Sequence, residues 1–167
     1  MSDRLMPWLG LAVRLLASGI WLVAGVAKLL DVTTFEQQIT AYKMLPDGMI
    51  TLAAYGIPLL EIVLGIYLLV GALVRPAAIA SCGLMAVFIV AQSQAWARGL
   101  SVDCGCFGSL HKETIGAGSV LRDLALLVPS AILVWRPARK WSVDEHVLGH
   151  PDGFALRSDA LAPMEGP

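Results

Sequence analysis

Charge is scarce in this chain, cysteine is scarcer, and there is no surplus of basic residues. Only 15% of its 167 residues are charged, against roughly a quarter in soluble domains. That leaves too few polar side chains to face water on all sides. Twelve Lys and Arg stand against thirteen Asp and Glu, a net charge of -1, so the basic stripe that nucleic-acid binding needs is missing. Three cysteines are too few for a disulfide-built scaffold. No internal repeat is visible either, which argues against a small-solute transporter built from repeated halves. What the chain does have is apolar sequence, 57% of its residues.

That apolar sequence falls into long runs. A span needs roughly 20 mostly apolar residues at 1.5 Å rise, and four segments qualify: 7–30, 49–74, 77–97 and 118–135. The expected fold is an all-α membrane protein, a four-transmembrane-helix bundle with a short extracytoplasmic Cys-Gly-Cys loop. A cleaved signal peptide fits the first run poorly, because the run exceeds a 7–15 residue h-region and contains Arg14. Buried helices of a soluble bundle would leave hardly any polar face for water.

Between the first two runs, Phe35, Ile39 and Tyr42 fall at i, i+4 and i+7, one face of a short interfacial helix. Pro46 and Gly48 should end it. Arg75-Pro76 reads as a tight hairpin between the second and third spans. The membrane domain is expected over residues 1–140, followed by a polar tail at 141–167 rich in Pro and Gly, without a core of its own. His146 and His150 are spaced i, i+4, but Gly149 and Pro151 oppose a helix there, so no metal site is expected from them.

Four spans put both termini on one side, with Arg4, Arg75, Arg136, Arg139 and Lys140. Lys28, Lys43, Arg98 and Lys112 fall on the other. The dense 136–140 cluster beside a span end favours cytoplasmic termini and a cell-membrane location. The 101–113 loop then faces outward, where disulfides persist. Cys82 lies about 30 Å of helix away from Cys104 and reads as a small apolar packing residue.

The loop reads "SVDCGCFGS". Gly105 reaches positive φ without penalty, so Cys104 and Cys106 can close a very small ring. Such strained disulfides exchange readily. Asp103 disfavours a thiolate at Cys104, which points to Cys106 as the more acidic thiol, while Arg98 and Lys112 could favour one. Cys104, Cys106 and His111 make only three candidate ligands, short of a structural zinc site. A redox pair leads, with a metal half-site shared with a partner and a static turn as rivals.

Ionisable groups inside lipid must be neutral, paired or in a polar cavity. Arg14, Lys28, Glu61, Gln92, Arg122 and Asp123 form the expected polar network, with Gln94 beside it, mostly in the half that carries the cysteine loop. Arg14 is the expected partner of Glu61 by depth. The network either locks the helices together or lines a pocket for a proton, a quinone or a partner side chain. Gly19, Gly25, Gly65, Gly71 and Ser81 would permit close helix contact.

An early arginine with "AGVAKLLD" ending the first span, then "YKMLP", "IPLLEIVLGIYLLVGA" and "DCGCFG", resembles the methylamine-utilisation MauE family, a branch of the DoxX-like four-helix membrane proteins. The resemblance covers roughly residues 8–136. It implies disulfide handling outside the cytoplasm beside a thioredoxin-like partner, with Cys104 and Cys106 as the redox pair and Arg14, Lys28 and Glu61 at the family's polar positions. The expected function is to pass electrons or disulfides to that partner while a client protein matures. The alternative is a non-catalytic subunit or assembly factor of a larger membrane complex. Neither reading requires a resident cofactor, and nothing suggests a nucleic-acid partner.

Overall fold

The computed structural model describes residues 2–100, 102–104 and 114–135, with side chains from Trp8 onward. Cys106, His111, Lys112 and the 141–167 tail lie outside the described residues. Five helices follow one another: α1 Ser2–Leu30, α2 Val32–Tyr42, α3 Asp47–Val70, α4 Val74–Ala97 and α5 Ala117–Trp135. No strand occurs among the described residues, only an isolated antiparallel bridge between Asp103 and Thr114.

Residues 8–30 of α1, and all of α3, α4 and α5, are long and apolar enough to cross a membrane. The exposure pattern agrees. Leu9, Leu16, Leu52, Val87 and Leu121 face outward, while Arg14, Lys28, Glu61, Gln92 and Asp123 are buried. A chain that turns apolar side chains out and charged ones in is solvated by lipid.

α1 packs most extensively on α3, and α5 packs on α4 and α1. Two glycines set the α1–α3 seam. A Cβ on Gly25 would stand 2.8 Å from the Pro58 carbonyl oxygen, and one on Gly65 would stand 2.7 Å from Leu22 Cγ. Across that seam Ser18 donates a hydrogen bond to the Gly65 carbonyl at 2.9 Å. Gly19 meets nothing within 4 Å and plays no part in the seam. With Gly25 opposite Pro58–Ile62, α3 runs on past the end of α1. α2 fills that step by packing on α3.

Two expected boundaries are corrected. The α3–α4 turn is made by Gly71 and Leu73, both left-handed, at φ 75° and 51°, so Arg75-Pro76 is not a hairpin. Pro76 sits in the first turn of α4, where its missing N–H has no intrahelical partner to lose. Likewise α2 ends at Lys43, which is left-handed at φ 51°. Pro46 caps the start of α3 and Gly48 lies within it; neither terminates α2. At its other end α2 begins on Asp31, whose carboxylate accepts from the Thr34 amide at 3.1 Å, as N-caps do.

Candidate functional site

The step between α1 and α3 decides the polar pairing. Lys28 lies in the last turn of α1, where the helix dipole favours a cation, and because α1 stops short its ammonium reaches Glu61. Both side chains are almost fully buried, at 1% and 0% exposure. The Phe35 and Phe88 rings flank the ammonium, with centroids at 5.4 and 4.9 Å, close enough for cation–π attraction. Arg14 is therefore not the partner of Glu61. It is buried on the same helix about 21 Å of rise from Lys28. Comparing depths from each span's own end went wrong because the two ends are not level.

A second pair closes the other side. Gln92 on α4 donates to Asp123 on α5. Arg122 donates to the other carboxylate oxygen of Asp123 from Nε and Nη2, at 3.1 and 3.0 Å. The same Nη2 lies 2.9 Å from Cys104 Sγ. A run of polar contacts thus leads from the loop cysteine through Arg122 and Asp123 to Gln92. A gap of about 20 Å³ bordered by Lys28, Glu61 and Asp123 separates the two pairs, room for roughly one water. Gln94, by contrast, faces outward and takes no part.

The cysteine loop is clamped at its base. Asp103 bridges Thr114, the Ile115 amide donates to the Val102 carbonyl at 2.9 Å, and Ile115 packs with Cys104 and Ala95. Tyr42, at the end of α2, donates its hydroxyl to the Cys104 carbonyl at 2.9 Å, and Arg98 donates to the Tyr42 carbonyl. Arg98 thus bonds the α2 end, and among the described residues Arg122 is the cation in contact with the Cys104 sulfur. A guanidinium donor beside a sulfur favours the thiolate, the nucleophilic form. Cys104 is nonetheless only 6% exposed. Cys82 is half-buried on α4 and takes no part. Among the described residues no group of three or more His, Cys, Asp or Glu could hold a metal ion.

Beside the clamp lies a cavity of about 220 Å³, bordered by Lys28, Gln92 and Cys104, with Phe35, Gln38, Tyr42 and Phe88 among its walls. Sequence reasoning placed Tyr42 on the helix face but missed the cavity and Gln38. The signal was present: Gln38 sits at i+3 from Phe35 on that same apolar face, a polar residue where the face should be greasy.

The family model described as methylamine utilisation protein MauE matches residues 6–136. Methylamine utilization protein MauE of Paracoccus denitrificans is 32% identical over 128 residues, covering 75% of this chain and 69% of that protein. No solved structure matches.

Proposed function

The chain belongs to the MauE family, and from that premise we propose that this multi-pass membrane protein takes part in thiol/disulfide exchange on the extracytoplasmic face. It passes electrons or disulfides between the Cys104–Cys106 pair and a thioredoxin-fold partner while a client protein matures. The relative's name ties it to methylamine utilisation, and that is the first setting in which to seek the client. Both termini face the cytoplasm on this reading.

The observation that carries the proposal is the Arg122–Cys104 contact at 2.9 Å. A loop cysteine held only for packing has no use for a guanidinium on its sulfur. A thiolate that must leave or attack does. Burial of Cys104 divides the labour: Cys106 meets the partner's thiol, and Cys104 resolves the mixed disulfide, aided by its proximity in the chain. In the Cys104→Ser variant the partner should then remain attached to Cys106 as a reducible adduct on non-reducing electrophoresis, and Cys82→Ser should not change that. Failure of both single variants, Cys104→Ser and Cys106→Ser, to yield an adduct removes the exchange reading.

One observation favours a second reading. Cys104 packs against Ile115 and Ala95 beneath Tyr42, as a static turn in an accessory subunit of a larger membrane complex would. A membrane-impermeant alkylating reagent separates the two. Labelling that appears only after mild reduction belongs to a cycling pair, and inertness before and after reduction belongs to the static turn.

A further inference from the structure

The cavity beside the cysteine loop has a composition that selects its occupant. Its walls are mostly apolar, and Met44, Leu45 and Val87 at its edge are themselves exposed. It therefore opens where a long apolar substituent could pass into lipid. An apolar cavity of about 150 Å³ accepts benzene, so one of about 220 Å³ has room for a substituted six-membered ring. Gln38 borders it at 8% exposure, and neither its amide nitrogen nor its amide oxygen has a hydrogen-bond partner. A buried amide left unmatched is costly, and a ligand that accepts from its nitrogen removes part of that cost.

The charges narrow the class further. An anionic head group would face Glu61 behind Lys28, and a cationic one would face the Lys28 ammonium itself. A neutral group bearing acceptor oxygens suits both. Gln38 lies on α2 and Lys28 on α1; the ammonium carries three N–H groups and bonds Glu61, so donors border the cavity from more than one wall. Cys104 also lines the cavity, and its sulfur lies 2.9 Å from the Arg122 guanidinium.

We propose that this cavity binds the ring of a membrane quinone and that the quinone is the electron acceptor for the Cys104–Cys106 dithiol. The inference deepens the thiol-exchange reading and rests on it for the electron donor. The step balances: two thiols lose two electrons and two protons and form one S–S bond, while the quinone gains both and becomes a quinol. It also fixes the direction of flow, from the partner's thiols inward to the membrane.

The test uses the full chain in lipid nanodiscs, in a Cys82→Ser background so that only the loop thiols count. A short-tailed benzoquinone is added to the reduced protein. The expected result is a raised melting temperature, with one quinol formed for every two thiols lost. Gln38→Leu should bind the quinone about tenfold more weakly, the worth of one lost hydrogen bond. Ala91→Phe, which fills the cavity, should abolish binding. Cys104→Ser should still bind the ring but form no quinol. Absence of both the melting shift and quinol in the parent protein overturns the proposal. So does unchanged binding in Gln38→Leu and Ala91→Phe, or an equal shift from a saturated fatty alcohol, which would make the cavity a lipid-tail groove. Partner trapping by Cys104→Ser is read separately. Trapping without quinone binding removes the quinone and leaves exchange standing; quinone binding without trapping does the reverse.

Discussion

At the end of the bundle that carries the α3–α4 turn, the interior is mostly apolar, with Ala17, Leu68, Val74, Ala78 and Leu133 packed together and Arg14 buried about one helical turn from Ala17. At the end that carries Cys104 it is filled by Lys28, Glu61, Gln92 and Asp123, with a cavity left among them. Both ends are buried to a similar degree, yet they spend burial on different things. Apolar side chains interlocking at native density exclude ligands and hold helices rigidly. Paired charges inside lipid cost free energy that packing would not, and a cavity forfeits dispersion contacts as well. The Lys28–Glu61 pair and the cavity share the end where Cys104 lies, and the closest apolar packing lies at the other.

The largest expected effect breaks the polar end outright. Glu61→Ala leaves the Lys28 ammonium buried without its carboxylate, and breaking such a pair costs about 3–5 kcal/mol. Glu61→Gln keeps an acceptor in place and should retain most of the stability. Denaturant unfolding of both variants in mixed micelles measures the gap, and equal curves would show that the pair does not hold this end together.

Next comes the seam shared by the two ends. Gly25→Val drives a side chain into the Pro58 carbonyl and Ile62, and overpacking of this kind costs about 1–3 kcal/mol. The same assay should show that loss. A melting curve like the parent's would mean that α1 and α3 can separate freely and that the seam does not set the depth of Lys28.

A smaller loss is expected at the clamp. Tyr42→Phe removes the hydrogen bond to the Cys104 carbonyl, worth about 0.5–1.5 kcal/mol. Its sharper readout is local: amide hydrogen exchange at Val102 to Cys104 should quicken while the α4–α5 contact is unaffected. Uniform quickening across the bundle would contradict a clamp confined to the loop. The smallest effect sharpens the comparison by contrast and has the opposite sign, since Gly19→Ala adds a methyl facing open space within α1 and should raise stability by up to about 1 kcal/mol through helix propensity.

Much of this was legible in the sequence. Long apolar runs dictate the four spans, because backbone polar groups in lipid must pair within their own helix. Phe35, Ile39 and Tyr42 dictate α2 by their spacing. The polar positions Lys28, Glu61, Gln92, Arg122 and Asp123 stand out because each interrupts an apolar run. Pairing was not legible. Depth measured from each span's own end matches Glu61 with Arg14 only if α1 and α3 end level, and they do not; nor does the sequence reveal that Arg122 reaches the Cys104 sulfur.

What the sequence by itself determined is therefore the one-dimensional content: which segments cross the membrane, which residues are too polar to face lipid, and which family the motifs belong to. The tertiary structure alone decided that α1 stops short of α3, that Lys28 meets Glu61, that Arg122 touches Cys104, and that a cavity remains beside the loop. The physical reason is range. Helix formation and lipid solvation act within a few neighbouring residues, whereas a pair 33 positions apart depends on where two glycines allow two backbones to touch.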